Sequence, residues 1–219
     1  MRVLAVRHHG VDSAGFIGAA FEARGAQLTV HLLPDEGPLP APDVFDHVVL
    51  LGAESSVNDP HPWIAEELAW LRTADAAGVP VLGICFGAQA ICAAFGGRVE
   101  IMARQEIGWV LVDSVDHELV PVGPWLEFHG DRCLPPAAAT VLARNDVAVQ
   151  AFRLGRHLAV QFHPEVDGPL LKRWLDAGGD QDAERHGLDP AQFLADTIHE
   201  EPAARARADR LVAAALRIR

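Results

Sequence analysis

The amino-acid sequence predicts an α/β fold: a doubly wound, mostly parallel sheet with helices on both faces and a small antiparallel extension. Three observations favour it. Short apolar runs typical of strands alternate with segments of helical spacing over the first part of the chain. Two of these runs, HVVLLG and VPVLGI, are apolar without interruption, as strands covered on both faces are. From Val99 to Phe162, closely spaced strand-like runs follow one another and indicate the antiparallel part.

The opening residues predict a strand, a helix and a second strand. RVLAVRH at residues 2–8 is an apolar, β-branched run. Residues 13–24 then have the apolar spacing of a helix, at Phe16, Ile17, Ala20 and Phe21. Residues 27–33 are the next strand candidate, and the proline-rich stretch 34–42 is interpreted as a surface loop.

The next segments repeat the alternation. HVVLLG at residues 47–52 reads as a buried strand ending in glycine, and residues 62–77 read as a helix that Gly78 ends. VPVLGI at residues 79–84 is a further buried strand. Helices resume after Pro169.

Composition narrows the class of protein. Half of the 219 residues are apolar and neither a repeat nor a low-complexity linker occurs, so one domain, residues 1–219, is expected. The net charge of −12, from 30 acidic and 18 basic residues, repels phosphate backbones and anionic lipid. We therefore expect neither a nucleic-acid nor a membrane partner.

Cysteine and histidine usage suggests a cytoplasmic protein without a metal. Three scattered cysteines are too few for a disulfide framework, which indicates a reducing compartment. No CxxC pair occurs, and the eleven histidines form no HExxH or comparable ligand motif. The opening residues also have too short an apolar run for a signal peptide. The sequence predicts neither a metal nor another cofactor.

The run VLGICFGAQ places a cysteine on a sharp turn. A buried strand leads into Cys85, glycines at 83 and 87 flank it, and an apolar helix follows at once. This pattern is typical of a nucleophile elbow, with cysteine in place of serine. The start of the helix would also stabilise a thiolate. The alternative is a small apolar residue at the end of a core strand, which is the interpretation we give to Cys92 and Cys133.

AVQFHPEV supplies a base and a group to orient it. A cysteine nucleophile needs a base that takes its proton and returns it to the leaving amine. A strand ending at Phe162 would leave His163 at the same sheet edge as Cys85, with Glu165 able to accept the imidazole N–H. The alternatives are a strand-end histidine with satisfied hydrogen bonds and a solvated surface carboxylate.

Donors for a developing oxyanion are also predicted. The backbone N–H of Phe86 lies at the helix start, and the loop LGAESSV follows a strand toward the same edge. Gly52 and Ala53 could present amides there. An ordinary turn glycine is the alternative for Gly52.

Taken together, GICFGAQ at 83–89 and QFHPE at 161–165 resemble the class I glutamine amidotransferase family. Three further segments resemble its stand-alone members related to the amidotransferase domain of GMP synthase: LGAESSVND, EIGW and FHGD. The resemblance covers most of the chain. It implies a seven-stranded, flavodoxin-like sheet.

The resemblance also implies a reaction and a set of site residues. Cys85 would attack the side-chain carboxamide of glutamine, giving a γ-glutamyl thioester and ammonia, and water would then release glutamate. The matching positions give a catalytic triad of Cys85, His163 and Glu165. By the same likeness, Gln89 and the main chain of Gly130 and Asp131 would hold the amino-acid end of glutamine, while Gly52, Ala53 and Phe86 would line the oxyanion site.

One departure from the family pattern suggests alternatives. Family members usually carry Gly-Gly-Pro where this chain has Gly52-Ala53-Glu54, and alanine disfavours positive φ, so a peptide flip costs more here. A catalytically silent partner subunit is therefore one alternative. A hydrolase of another γ-glutamyl amide or peptide is another. No synthetase domain is present, so an ammonia acceptor would lie on a separate subunit or not exist.

Two other features have only general interpretations. His8 and His9 would lie near the ligand edge of the sheet, but position alone supports a role for them. The arginine-rich final stretch has a helical apolar pattern, and a packing helix with a charged solvent face is the interpretation we favour.

Overall fold

The computed structural model describes residues 1–218, and a nine-stranded sheet runs through it. Its strands, numbered in chain order, are β1 Arg2–Arg7, β2 Gln27–Leu32, β3 His47–Leu50, β4 Val81–Ile84, β5 Arg98–Ser114, β6 Gly123–Leu134, β7 Thr140–Arg144, β8 Val149–Leu154 and β9 His157–Val160. The α-helices are α1 Gly15–Glu22, α2 Pro62–Ala76, α3 Phe86–Ala94, α4 Gly168–Trp174, α5 Asp180–Arg185 and α6 Pro190–Ala215. A 3₁₀ turn, Pro42–Val44, precedes β3, and a π-helical turn, Leu175–Gly179, joins α4 to α5.

One half of the sheet is parallel. Its strand order is β2-β1-β3-β4-β9, and each neighbouring pair runs in the same direction. This is the 2-1-3-4-5 order of flavodoxin-like sheets, with β9 as the fifth strand. The predicted doubly wound, parallel arrangement is therefore confirmed.

The other half is antiparallel and larger than the sequence suggested. Strands β8, β7, β5 and β6 continue the sheet from β9, each antiparallel to the one before. The sheet thus has nine strands, and the expected count of seven is wrong. The long hairpin of β5 and β6 accounts for much of the difference, because GPWLEFHGDRCL in β6 mixes glycine, proline and charged residues that do not read as a strand.

Helices cover both faces of the parallel half. On one face α1 and α6 pack on the sheet, through residues such as Phe21 and Leu211. On the other face α2 and α3 do so, with Leu71 in the cluster. Consecutive strand residues alternate between the faces: Val49 belongs to the first cluster and Val48 to the second. A third cluster joins β6 to α4, α5 and α6.

The helix ends agree closely with the sequence pattern. Pro62 occupies the first turn of α2, where its missing N–H leaves no hydrogen bond unmade, and Gly78 follows the helix with a φ of 78°. Within residues 1–218, no helix is both long enough and apolar enough to cross a bilayer.

Candidate active site

Four neighbouring parallel strands bring their carboxyl ends to one edge of the sheet. Strands β1, β3, β4 and β9 lie side by side. His8, Gly52, Cys85 and His163 each follow one of them within a few residues. Ligand sites of doubly wound sheets lie at this edge. The predicted placement of Cys85 and His163 at one edge is confirmed.

Cys85 has the backbone conformation of a sharp elbow. Its φ of 52° and ψ of −106° make it the one non-glycine residue with positive φ among residues 1–218. A Cβ at Gly83 would lie 2.5 Å from the Gly87 carbonyl oxygen, and a Cβ at Gly87 would lie 2.1 Å from that of Leu50. Only glycine fits at either flank, which confirms the predicted turn.

His163 and Glu165 form a buried pair beside this cysteine. The Nδ1 of His163 lies 2.7 Å from Oε1 of Glu165, and the two side chains are 5% and 2% exposed. Burial alone would lower the pKa of His163, but the Glu165 carboxylate and the neighbouring Cys85 sulfur raise it well above its usual value. The raised pKa of His163 favours the cationic imidazole, and a cation beside a cysteine favours the thiolate form in general.

The backbone of Glu165 is held by the first turn of α1. The N–H of Phe16 donates to the Glu165 carbonyl at 2.9 Å. A Cβ at Gly15 would lie 1.9 Å from that same oxygen, and Gly15 has a φ of 42°. The start of α1 therefore fixes the backbone of the residue whose carboxylate contacts His163.

The other predicted site residues surround one cavity of about 680 Å³. The lining includes Cys85 and His163 together with five of the predicted binding residues, namely Gly52, Ala53, Gln89, Gly130 and Asp131. Phe86 is different. Its ring is fully buried against His8 and Trp63, so only its backbone can face the site.

Asp131 is fixed through both its side chain and its main chain. Its Oδ2 accepts a hydrogen bond of 2.5 Å from the Ser56 hydroxyl. Its carbonyl oxygen lies 2.8 Å from Nδ1 of His129. These contacts hold the 130–131 wall of the cavity in place.

Two residues next to His163 were not found from the sequence. The indole of Trp174 meets the His163 ring edge-on, with centroids 4.8 Å apart, and its Nε1 donates to Oδ1 of Asp12 at 3.0 Å. Burial, followed by the charge of Glu165, raises the pKa of Asp12. A tryptophan at the end of a helix is more often core than site, so no sequence signal marked it.

Glu106, Glu127 and His129 are the group whose geometry comes closest to a metal site among residues 1–218. Their ligand-type atoms all lie within 4.8 Å of one another. Nε2 of His129 is 3.2 Å from Glu106 and 3.1 Å from Glu127. Burial lowers the pKa of His129, but the two carboxyl groups raise it to about 10.

The two carboxyl groups of this cluster differ in the direction in which their pKa values shift. Burial raises the pKa of Glu127, which favours its neutral form. Burial acts in the same direction on Glu106, but hydrogen bonding to His129, Asn145 and Gln150 lowers its pKa overall. His129 thus lies between two carboxyl groups whose pKa values shift in opposite directions.

The fold and this edge define a class of α/β proteins with a cysteine elbow beside a buried histidine. Residues 16–173 match the family model described as glutamine amidotransferase class-I, and the chain belongs to that family. Among curated relatives, a GMP synthase [glutamine-hydrolyzing] from Thermomicrobium roseum is 40% identical over 129 residues, 54% of this chain and 23% of the relative. One from Burkholderia mallei is 32% identical over 146 residues, 58% of this chain and 26% of the relative. The chain thus spans about a quarter of the length of these relatives.

Solved structures resemble the chain over nearly its whole length. A glutamine amidotransferase from Thermotoga maritima superposes with a TM-score of 0.90 at 26% identity, covering 99% of this chain and 98% of that one. A glutamine amido transferase from Methylobacillus flagellatus also gives a TM-score of 0.90, at 23% identity, covering 98% of this chain and 94% of that one. The second likeness shows the fold alone.

Proposed function

We propose that this chain hydrolyses the side-chain amide of glutamine through a γ-glutamyl thioester on Cys85. The observation that carries the proposal is the elbow cysteine beside the buried His163–Glu165 pair, at the edge where this family's fold binds ligands. Attack by the sulfur on the carboxamide carbon forms a C–S bond and expels ammonia. Water then breaks the thioester and releases glutamate.

His163 moves the protons in this scheme. It takes the thiol proton of Cys85, gives it to the departing ammonia, and later takes a proton from the attacking water. With Nδ1–H directed at Glu165, the other ring nitrogen is free to face the sulfur. The raised pKa of His163 supports this role, because Glu165 and Cys85 stabilise the imidazolium that must form.

Backbone amides would stabilise the tetrahedral intermediate. The N–H of Phe86 is at the first position of α3, where no intrahelical acceptor exists, and Ala53 lines the cavity. Gln89 and the main chain of Gly130 and Asp131 would hold the amino-acid end of the substrate. Gln89 is buried and lines the same cavity as Cys85, as these roles require.

Transfer of the ammonia to an acceptor would need a second active site. The GMP synthase relatives are about four times as long as the stretch they share with this chain, since that stretch is 23% and 26% of their length. A separate synthetase subunit is therefore the partner we propose for this chain, with ammonia passed between the two.

The cavity favours one second candidate, a hydrolase of larger γ-glutamyl amides. Its volume of about 680 Å³ lies within the ~300–1,000 Å³ range of pockets for drug-sized ligands, and glutamine is far smaller. The triad would act in the same way on such a substrate. Only the leaving amine would differ.

Assays on a panel of amides test the proposal. Purified protein is incubated with glutamine and several γ-glutamyl amides, and glutamate and ammonia are measured. We expect turnover of glutamine, none with Cys85→Ala, and normal turnover with Cys92→Ala, since Cys92 is a buried cysteine in the core. Turnover of larger amides alone supports the second candidate. No turnover together with slow alkylation of Cys85 indicates a silent subunit.

The role of His163 is tested separately. His163→Asn keeps a polar side chain at this position but has no titratable nitrogen. We expect a loss of about 10²–10⁴-fold in kcat, the usual contribution of a general base, with the fold retained in the circular dichroism spectrum. Full activity of this variant would remove His163 from the mechanism.

A further inference from the structure

His8 and Glu67 form a buried pair next to the proposed oxyanion loop. The side chains are 2% and 0% exposed. Nδ1 of His8 lies 2.9 Å from the Gly52 carbonyl oxygen, and Nε2 lies 3.0 Å and 3.2 Å from the two oxygens of Glu67. A carbonyl only accepts, so Nδ1 carries a proton and donates it to Gly52.

Three elements hold the imidazole in one orientation. His8 follows β1, Glu67 lies in α2, and the imidazole packs against one aromatic ring of α2 and one of α3. Its centroid is 5.3 Å from that of Trp63 and 4.9 Å from that of Phe86. A fully buried carboxylate is costly unless it is paired, so the contact of Glu67 with His8 also favours this position of the imidazole.

The peptide that His8 contacts lies beside Cys85 and the imidazole of His163. A Cβ at Gly52 would be 3.1 Å from Cε1 of His163 and 3.7 Å from Cβ of Cys85. In a planar trans peptide the carbonyl and the following N–H point in opposite directions. Fixing the Gly52 oxygen on His8 therefore also fixes the direction of the Ala53 N–H. Within residues 1–218, no acceptor takes that N–H.

We propose that His8 and Glu67 are positioning residues that lock the Gly52–Ala53 peptide with its carbonyl turned away from Cys85 and its N–H free for the oxyanion. This inference rests on the proposed amide hydrolysis. Rotation of the peptide would break the bond to His8 and present a carbonyl oxygen to a developing negative charge. The pair prevents that rotation before substrate arrives.

The hold of His8 and Glu67 on this peptide also explains why alanine is acceptable at position 53. Turning the 52–53 peptide over would force φ of residue 53 toward positive values, which alanine resists. A peptide that is already held in its working orientation has no need of that freedom. Ala53 and the His8–Glu67 pair then act in the same direction.

Four variants test the inference. His8→Leu removes the donor while retaining bulk, and His8→Asn keeps a side-chain N–H close to the position of Nδ1. Glu67→Gln keeps a polar partner for His8 without its charge. His157→Leu is the matched control, because His157 is also buried and pairs with a carboxylate, Nε2 to Asp75 Oδ1 at 3.1 Å, but lies at the start of β9, the opposite sheet edge from His163.

Two rates are measured on each variant: kcat for amide hydrolysis and alkylation of Cys85 by iodoacetamide. Alkylation passes through no oxyanion, so it reports the folded, reactive thiol, and kcat is expressed per alkylatable Cys85. For His8→Leu we expect kcat to fall by about 10²–10³, the effect of losing one oxyanion donor, with KM and alkylation changed less than about threefold. His8→Asn and Glu67→Gln should lie between His8→Leu and wild type, and His157→Leu should keep the kcat of wild type.

The outcomes distinguish failure of the inference from failure of the proposed function. A His8→Leu enzyme with wild-type kcat overturns the inference while leaving the proposed function intact. Parallel loss of hydrolysis and alkylation also overturns it, because it shows general damage to the site. Wild-type protein that hydrolyses no amide overturns the proposed function and this inference with it. If His8→Leu does not fold, the kcat values of the other three variants still test the inference. His8→Asn and Glu67→Gln should then have a lower kcat than His157→Leu, and equal values would overturn it.

Discussion

Cys85 is held in a conformation that costs of the order of 1–3 kcal/mol for a residue with a side chain. Its neighbours offset that cost. The N–H of Cys85 donates to Val160 in β9 at 2.8 Å, and its carbonyl accepts from Gln89 in α3 at 3.0 Å. The close approach of Gly83 to Gly87, and of Gly87 to β3, completes the elbow. Strands β3, β4 and β9 and helix α3 together fix the turn that carries the sulfur.

Gly87→Ala should be strongly destabilising. The new Cβ would lie 2.1 Å from a backbone oxygen of Leu50, which no rotamer change can relieve. We expect the free energy of unfolding to fall by about 2 kcal/mol or more, as for severe overpacking, measured by urea denaturation. Gly10→Ala is the control, because nothing lies within 4 Å of a Cβ there. Equal midpoints for the two variants would contradict the close contact.

At this scale the sequence predicted what is local and missed what depends on helix orientation. Cys85, His163 and Glu165 follow strand ends, and parallel strands bring their ends together, so short motifs were sufficient. Glu67 lies in an amphipathic helix, where a glutamate usually faces solvent. Its burial against His8 depends on how α2 is rotated on the sheet, which no local pattern encodes.

At the scale of elements, an ion-pair cluster joins three strands of the antiparallel half. Glu106 lies in β5, Glu127 and His129 in β6, and Gln150 in β8. The Nε2 of Gln150 donates to Glu106 at 2.8 Å. Because His129 also contacts the Asp131 carbonyl, the cluster supports the cavity wall from beneath.

The cluster predicts that stability falls at alkaline pH. The pKa of His129 is raised to about 10, so the folded chain keeps a proton that the unfolded chain releases near ~6.5. The stabilisation is complete below that lower value and disappears as pH rises through the higher one. His163, His8 and Glu127 have raised pKa values and act with the same sign. Wild type should therefore lose stability from about pH 7 to 10.

His129→Gln should flatten this dependence. Unfolding free energies from urea titrations at several pH values would show a smaller slope than in wild type, by at most about 1.4 kcal/mol per pH unit. His117→Gln, at an exposed histidine, should keep the wild-type slope. An unchanged slope in His129→Gln would mean that the histidine is not protonated in the folded chain.

The elements of the parallel half were predictable and those of the hairpin were only partly so. Strands β1, β3 and β4 are nearly uninterrupted apolar runs, because helices cover both of their faces. Strands β5 and β6 have mixed burial, with exposed and buried residues in irregular order and a register shift between Ile101 and Glu106. Such a pattern does not alternate with a period of two, so the sequence did not indicate a nine-stranded sheet.

At the scale of the whole molecule, charge of one sign predominates. With 30 acidic and 18 basic residues, repulsion between surface carboxylates opposes the compact state. Several surface ion pairs exist, such as Arg24 with Asp209, but exposed pairs contribute little.

Salt should therefore stabilise the protein. Raising ionic strength from about 0.01 M to 0.1 M shortens the Debye length from ~30 Å to ~10 Å and screens the repulsion between distant carboxylates. We expect Tm to rise over this range in thermal unfolding at neutral pH. A fall in Tm would show that specific ion pairs outweigh the net charge.

The chain order of the sheet has a consequence for how the protein can change. Strands β4 and β9 are paired neighbours, yet the stretch that forms β5 to β8 separates them in sequence and folds outward as a lateral arm. Residues of that arm form one side of the cavity, whereas the sulfur and the imidazole belong to the parallel half. Mutations in that arm can therefore change which ligands the cavity admits, while the two segments that carry Cys85 and His163 keep their sequence.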